Sequence, residues 1–306
     1  MSEYHTPVLL EESVQLLDIK ADGTYVDLTF GGGGHSSRIL SALGPDGHLY
    51  SFDQDSDAMA NALDSPNFTF VQSNFRFMRS ALRYRGVEQV DGILADLGVS
   101  SHHFDDSQRG FTFRADAPLD MRMNRDAAVS AADIANGYTT EELTRVLQDY
   151  GELDGAFRIA ELIVKARDFS PLRSTTDLIR AVRPRIPKRD ESKFLSKLFQ
   201  ALRIEVNGEM EALKMALEQS LKILRPGGRL VVISYHSLED RIVKNFMRSG
   251  TFESESEKDF FGRSRTPFVL ITRKAVQPTE REIDANPRSR SAKLRAAQKI
   301  EVQNHA

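Results

Sequence analysis

Short apolar segments alternate with polar stretches in the first third of the chain and return near its end. The early segments cover residues 25–30, 49–52, 68–71 and 92–96, and the late ones cover 229–234 and 267–273. Short apolar runs separated by helical stretches are typical of buried parallel strands. The pattern therefore predicts an α/β fold, in which helices cover both faces of a parallel sheet.

Helical signals replace the strand pattern from about residue 111 to residue 206. Thr139 and Glu142 have the spacing of a capping box, residues 156–166 are rich in apolar side chains, and Ser174 and Asp177 open another helix. Apolar side chains at spacings of three and four then predict a helix that ends near Arg225: Met210, Leu213, Leu217, Leu221 and Leu224.

This change of pattern predicts two domains. Residues 1–110 and 206–306 are expected to form the sheet-bearing domain, and residues 111–205 an inserted all-helical domain. Such an insertion leaves the sheet continuous and offers a separate surface for recognising a partner.

A glycine-rich turn follows the first predicted strand. Residues 31–34 are all glycine, and a helix is predicted over 36–43. Glycine lets the backbone approach a ligand closely, and the start of a helix offers free N–H groups. Asp53, at the end of the second predicted strand, is placed to accept hydrogen bonds from ribose hydroxyls. The pattern predicts a nucleotide-binding site.

The spacing of the glycines favours S-adenosylmethionine over NAD. A dinucleotide fingerprint requires a third glycine or alanine, where this chain has Ser36 or Ser37. Asp27 precedes the turn, and its carboxylate would repel a pyrophosphate but attract a sulphonium or an amino group. An NAD-dependent oxidoreductase is the alternative enzyme class.

Composition and charge restrict the other function classes. The 306 residues include no cysteine, so neither disulfides nor thiolate metal sites are expected, and no metal is predicted at the adjacent His102 and His103. No apolar run has the length of a membrane span, and the amino terminus lacks the features of a signal peptide. A cytoplasmic location is expected.

The net charge of −3 means that any RNA binding must depend on local basic clusters. One cluster covers residues 183–189 and the other residues 286–299, and neither contains an acid. The second also includes Lys293, Arg295 and Lys299. The side chains predicted to contact RNA phosphates are Arg183, Arg185, Lys188, Arg189, Arg288 and Arg290.

Blocks along nearly the whole chain resemble the successive signatures of the MraW or RsmH family of bacterial methyltransferases. They are HTPVLL at 5–10, TFGGGGHS at 29–36, DLGVSS at 96–101, RGF at 109–111, PLDMRM at 118–123, FQALRI at 199–204, HSLEDR at 236–241 and NPRSRS at 286–291. The resemblance implies a class I methyltransferase fold with a Rossmann-like sheet. It also implies methylation by S-adenosylmethionine of N4 of a cytidine in the decoding region, the P site, of 16S rRNA.

The resemblance also implies the residues of the cofactor site and a partner. The matching cofactor positions are Gly33, Gly34, His35, Asp53, Phe75, Asp96 and His103. His103 stands where the family usually has glutamine, and Tyr235 replaces the usual phenylalanine. The expected partner is 16S rRNA, within a small ribosomal subunit particle, and the inserted helical domain is expected to recognise the RNA. The oligomeric state stays open, a dimer included.

Asp96 is the candidate catalytic residue, because the carboxyl end of the fourth predicted strand is where an open α/β sheet places such groups. It could orient the cytosine amine and accept its proton, or it could serve only as a cofactor ligand. Phe111, Phe113 and Tyr235 are candidates for stacking on the target base, with a core position as the alternative for each. A non-catalytic RNA-binding assembly factor is the third functional hypothesis.

Overall fold

A computed structural model describes residues 7–99, 106–253 and 266–300. Its centre is a seven-stranded sheet in the order β3-β2-β1-β4-β5-β7-β6. The strands are β1 (Thr24–Asp27), β2 (His48–Asp53), β3 (Phe68–Gln72), β4 (Val90–Asp96), β5 (Leu224–Ser234), β6 (Phe268–Leu270) and β7 (Lys293–Lys299). The predicted fold class, an α/β Rossmann-like sheet accompanied by helices, is confirmed.

The first five strands run parallel, and β7 pairs antiparallel to both β5 and β6. Chain order proceeds from β1 outward to β3 and then returns to β4 on the other side of β1. The strand order therefore reverses between β1 and β4. Open α/β sheets bind their ligands at the carboxyl ends of strands beside such a reversal.

Six helices in the described residues belong to the part of the chain that carries the sheet. They are α1 (Leu10–Leu17), α2 (Gly34–Leu40), α3 (Met78–Tyr84), α9 (Glu209–Ile223), α10 (Ser237–Ser249) and α11 (Glu280–Ala285). The apolar spacing noted from Met210 onward corresponds to α9, where Leu213, Ala216 and Leu217 pack into the core beside β4 and β5.

Between β4 and α9, the described residues form five further helices. They are α4 (Ala131–Gly137), α5 (Thr140–Asp149), α6 (Ala156–Phe169), α7 (Thr175–Val182) and α8 (Glu191–Asn207). The capping boxes predicted from Thr139 and Ser174 are both present. Each of these side chains accepts a hydrogen bond from the backbone N–H three residues later, and the side chain of that later residue accepts one from the backbone N–H of Thr139 or Ser174. Ser130 opens α4 in the same way.

The chain divides into two compact units. One comprises Met1–Gly98 and Glu211–Ala306, and the other comprises Val99–Met210. The second, which we call the helical unit, has a core of its own built from the buried faces of α4 to α8. Assignment of this unit to RNA recognition is a prediction that the fold alone does not test.

The end of the sheet differs from the sequence-based expectation. The predicted strand at 267–273 is only three residues long, and β7 was missed. Polar and buried residues alternate along β7, a segment whose sequence suggests only a basic cluster. Leu294, Ala296 and Ala297 within it are fully buried.

Among the described residues, no helix has both the length and the apolar character needed to cross a bilayer.

Candidate functional site

Three carboxylates end neighbouring parallel strands at one edge of the sheet. Asp27 ends β1, Asp53 ends β2 and Asp96 ends β4. Because β1 lies between β2 and β4, all three belong to the edge where the strand order reverses. The candidate site is built around this edge.

The glycine turn connects β1 to α2 and fixes where the helix begins. Gly33 has φ +77°, a conformation that side chains with a Cβ rarely adopt, and its N–H donates to the Phe30 carbonyl at 2.7 Å. A Cβ on Gly34 would lie 2.1 Å from Pro7 Cγ. The helix consequently starts at Gly34, two residues before the start predicted from sequence.

Asp27 stabilises this turn through hydrogen bonds, and its side chain is buried, with the residue only 1% exposed. One of its oxygens accepts from Thr29 N at 3.0 Å, and the other accepts from Ser36 Oγ at 2.6 Å. Ser36 also contacts Ser51 Oγ at 2.7 Å. Buried Asp27 thus has a structural role in the turn, and its attraction for a cationic ligand stays a prediction.

Asp53 connects the glycine turn to the loop after β2. Its Oδ2 accepts from Gly31 N at 2.8 Å, and its Oδ1 accepts from Asp55 N at 2.8 Å. The two contacts place a half-buried carboxylate directly beside the turn, where sequence spacing alone had put it. Phe75 begins a short 3₁₀ helix after β3 and is half-buried against the sheet core.

Asp96 lies beside His35 and Tyr235, and its side chain is 23% exposed. Tyr235 Oη donates to Asp96 Oδ1 at 2.8 Å, while His35 Nδ1 lies 3.7 Å from Oδ2. The Asp96 backbone N–H donates to Thr29 Oγ1 at 2.7 Å. Burial raises the pKa of Asp96 to about 6, against the lowering influence of His35 and Tyr235. A carboxyl with such a pKa can exchange a proton near neutral pH.

His35 is buried, and its orientation is set by a backbone contact. Its Nε2 lies 3.1 Å from the carbonyl oxygen of Val8, which directs Nδ1 towards Asp96. His35 therefore lies at the start of α2, and its side chain is directed to the candidate catalytic residue. No sequence pattern predicts this pairing, because 61 positions separate the two residues.

Tyr235, directly after β5, makes contacts with Asp96 and Glu239 that the sequence does not predict. Tyr235 follows the last residue of β5, and its backbone N–H donates to Glu239 Oε2 at 2.9 Å. His236 Nδ1 accepts from the backbone N–H of Glu239 at 3.4 Å, and so caps α10.

The aromatic candidates for base stacking differ in their exposure. Phe111 is 5% exposed in the core of the helical unit, and Phe113 packs against Phe199 with ring centroids 5.7 Å apart. Tyr235 is half-buried at the sheet edge. The core position therefore describes Phe111 best. His103 lies outside the described residues.

The two basic clusters have different surroundings. The members of the first, Arg183, Arg185, Lys188 and Arg189, are exposed in the helical unit, where Arg183 forms an ion pair with Glu191. Arg288 and Arg290 are exposed on the short 3₁₀ helix Pro287–Ser291.

Three further cations of the second cluster are engaged in the fold. Lys293 and Arg295 contact Asp240 at 3.3 and 2.7 Å, and Lys299 donates to the Leu224 carbonyl. These contacts attach β7 to its neighbours.

Comparisons with known proteins agree over nearly the whole chain. The family model described as the MraW methylase family matches residues 2–300. A protein named ribosomal RNA small subunit methyltransferase H from Parabacteroides distasonis is 57% identical over 298 residues, covering 97% of this chain and 98% of that protein. Its namesake from Flavobacterium johnsoniae is 54% identical over 298 residues, with the same coverage of 97% and 98%.

Solved structures are more distant. A putative methyltransferase from Streptococcus mutans in complex with SAH has a TM-score of 0.42 at 14% identity, over 95% of this chain and 97% of that one. These values are too low to inform on activity. The match to the family model and the two close relatives do suffice for assignment: the chain belongs to the MraW methylase family.

Proposed function

We propose that this protein transfers a methyl group from S-adenosylmethionine to N4 of a cytidine in the decoding region of 16S rRNA, within a small ribosomal subunit particle. The observation that carries the proposal is the placement of Asp96. Its partly exposed carboxylate lies at the sheet edge where the strand order reverses, beside the glycine turn and in contact with Tyr235. The relatives named ribosomal RNA small subunit methyltransferase H support rRNA as the substrate.

The residues around the glycine turn suit an adenosine-bearing methyl donor. The Asp53 carboxylate accepts a hydrogen bond from Gly31 N, and a carboxylate can also accept hydrogen bonds from ribose hydroxyls. The Phe75 ring offers an apolar face for adenine, and the glycines of the turn have no side chain to keep a ligand from the backbone. When bound, this group supplies an electrophilic methyl on a sulphonium.

Asp96 performs two tasks in the proposed reaction. The amine of cytosine is a poor nucleophile because its lone pair is delocalised into the ring, so a hydrogen bond from the amine to Asp96 aligns it for attack. Positioning of this kind can lower a barrier by roughly 7 to 11 kcal/mol. When the nitrogen bonds to the methyl carbon, the carbon–sulphur bond breaks towards sulphur, and the nitrogen then releases a proton to the carboxylate.

The nature of the methylated nucleoside tests this proposal. The protein is incubated with tritiated S-adenosylmethionine and small subunits from a strain that lacks the corresponding gene, and the RNA is digested to nucleosides. We expect the label in N4-methylcytidine. Label in another nucleoside would refute the N4 assignment, and free 16S rRNA as a parallel substrate shows whether the assembled particle is required.

Ligand binding separates the two alternative functions. Adenosylhomocysteine is expected to raise the thermal midpoint of the protein, and NADH is expected to leave it unchanged, because only a ligand bound to the folded state stabilises it. The opposite result would favour an oxidoreductase. Binding of adenosylhomocysteine and RNA without methyl transfer would instead identify a non-catalytic assembly factor.

The Asp53→Ala variant is expected to bind adenosylhomocysteine more weakly, by about 1.5 to 3 kcal/mol, because the ribose hydroxyls lose a charged acceptor. Calorimetry measures the affinity directly. Asp64→Ala is a matched control, since Asp64 is an exposed acid on the loop before β3. Equal affinities of the Asp53 variant and the control would show that the ribose is held elsewhere.

The double variant Arg288→Ala/Arg290→Ala is expected to bind the RNA substrate more weakly and with less dependence on salt. Each phosphate contact to a single strand contributes about 0.7 to the slope of log affinity against log salt, so the loss of two should reduce it by about 1.4. Filter binding at a series of salt concentrations gives this slope. Adenosylhomocysteine affinity should stay unchanged.

A second pair of exposed arginines serves as the control for this experiment. Arg83 and Arg85 lie at the end of α3, outside both predicted clusters. If the Arg83→Ala/Arg85→Ala variant loses as much salt dependence as the test variant, the effect is one of overall charge. An unchanged slope in the test variant would place the RNA on another surface.

A further inference from the structure

The two oxygens of Asp96 have different surroundings. Oδ1 accepts a hydrogen bond from the Tyr235 hydroxyl at 2.8 Å. Oδ2 faces His35 Nδ1 at 3.7 Å, which is too long for a hydrogen bond. Oδ1 of the carboxylate is therefore held by Tyr235, and Oδ2 is the oxygen to which a ligand can bind.

The contact of His35 with Val8 determines which of its ring nitrogens carries hydrogen. A backbone carbonyl only accepts hydrogen bonds, so Nε2, 3.1 Å from the Val8 oxygen, is the donor. This contact directs the other ring nitrogen, Nδ1, towards Asp96 Oδ2 across 3.7 Å. A substrate amine that donates to Oδ2 therefore lies beside the His35 ring.

Tyr235 is well placed to keep this arrangement in one orientation. Its backbone N–H is bonded to Glu239, a carboxylate that is 2% exposed. Its ring packs against the core beside β5 and β7 and also lies over Gly98, where an added Cβ would meet it at 3.3 Å. A hydroxyl held on so fixed a ring constrains the rotation of the Asp96 carboxylate.

We propose that Tyr235 is a positioning residue, whose hydroxyl holds Asp96 Oδ1 so that Oδ2 receives an N–H group of the substrate amine. This inference rests on the proposed function and goes beyond it by assigning the reacting oxygen. After methyl transfer, the nitrogen releases its proton to Oδ2, and the electron pair of that N–H bond returns to the nitrogen.

The titratable groups around Asp96 give the inference a pH signature. They are His35, Tyr235, Asp27 and Glu239. The Tyr235 hydrogen bond stabilises the carboxylate, so its removal raises the pKa of Asp96 further above its present value of about 6. Methyl transfer requires the deprotonated carboxylate of Asp96. The acid limb of the pH profile of methyl transfer should therefore move to higher pH, as the pKa does.

The Tyr235→Phe variant tests the inference, because it removes only the hydroxyl. We expect kcat to fall about 10-fold at pH 7. The acid limb of the pH profile of kcat should move upward by about 1 pH unit. KM for the RNA and the affinity for adenosylhomocysteine should stay within about twofold of wild type, since Tyr235 acts through Asp96. Tyr138→Phe is the matched control, as it removes a hydroxyl bonded to Glu205 at 3.0 Å in the helical unit.

Several outcomes would overturn the inference. If Tyr235→Phe has the kcat and acid limb of wild type, the hydroxyl does not position Asp96, although the proposed function stands. If adenosylhomocysteine affinity falls as much as kcat, Asp96 and Tyr235 serve the methyl donor instead. If the wild-type protein methylates no RNA at any pH, the proposed function itself fails and the inference fails with it.

A second replacement avoids dependence on the stability of Tyr235→Phe. Substitution of Tyr235 by 3-fluorotyrosine keeps the hydroxyl and makes it a stronger donor, so the acid limb should move to lower pH. Opposite shifts in the two variants are expected only if the hydroxyl bonds to the reacting carboxylate. An unchanged limb with fluorotyrosine would overturn the inference.

Discussion

The Asp96→Asn variant is expected to lose methyl transfer by about 100-fold or more, which is the contribution of a positioned proton acceptor. The amide keeps the shape of the carboxylate and still accepts from Tyr235, so the loss reports on charge and proton transfer. Single-turnover assays with saturating RNA measure the chemical step. Adenosylhomocysteine affinity should fall much less. Equal losses in turnover and affinity would make Asp96 a cofactor ligand only.

The same substitution is expected to stabilise the folded protein at alkaline pH. Burial raises the pKa of Asp96 to about 6 from its usual 3.8, so the folded state disfavours the charged form. Stability that Asp96 provides when protonated is lost as the pH rises through this window. Above it, Asp96→Asn should be more stable than wild type by about 3 kcal/mol at most.

Thermal unfolding at two pH values measures this difference. The melting temperature of Asp96→Asn should exceed that of wild type at pH 8, and the difference should shrink at pH 5, where Asp96 is mostly protonated. A difference independent of pH would mean that the pKa of Asp96 is close to its usual value. The combination of lower activity and higher stability is typical of active-site carboxylates held in poorly solvated positions.

The Gly110→Ala variant is expected to destabilise the helical unit by about 3 kcal/mol or more. Gly110 has φ +71°, and an added Cβ would lie 2.3 Å from the Pro118 carbonyl oxygen and 3.1 Å from Asp120 N. Neither backbone atom can move without shifting the segment that Arg109 holds through hydrogen bonds to the Arg122 and Met123 carbonyls. Hydrogen exchange measured by mass spectrometry reports on the helical unit separately.

Gly86 offers a control with the same backbone strain but without the contact. Its φ is +77°, and an added Cβ there would meet nothing within 4 Å. Gly86→Ala should therefore cost only about 1 to 2 kcal/mol, the strain of a left-handed residue. If both variants cost the same, the close approach at Gly110 is relieved by local movement and the predicted difference is wrong.

The sheet could be predicted from sequence where hydrophobicity alone determines a strand. Tyr25, Ile93 and Val231 belong to short runs that are buried on both faces, and each predicted run there corresponds to a strand. The capping boxes at Thr139 and Ser174 were equally predictable, because both partners lie within four residues. Local signals of this kind need no knowledge of distant contacts.

The missed features depend on contacts between distant parts of the chain. Lys293 and Arg295 belong to the predicted basic cluster, and the sequence does not show that both side chains contact Asp240. The hydrogen bond from Tyr235 to Asp96 joins residues 139 positions apart. Sequence placed both residues at strand ends but could not show that they touch.

The most direct test of the central claim is a position-specific measurement of cytidine methylation in the cell. A strain lacking the gene is complemented with wild type or with Asp96→Asn, and fragments of its 16S rRNA are analysed by mass spectrometry. We expect one N4 methyl group on a cytidine of the decoding region with wild type and its near absence with Asp96→Asn. Equal methylation by the two proteins, or no methylation by wild type, would contradict the account.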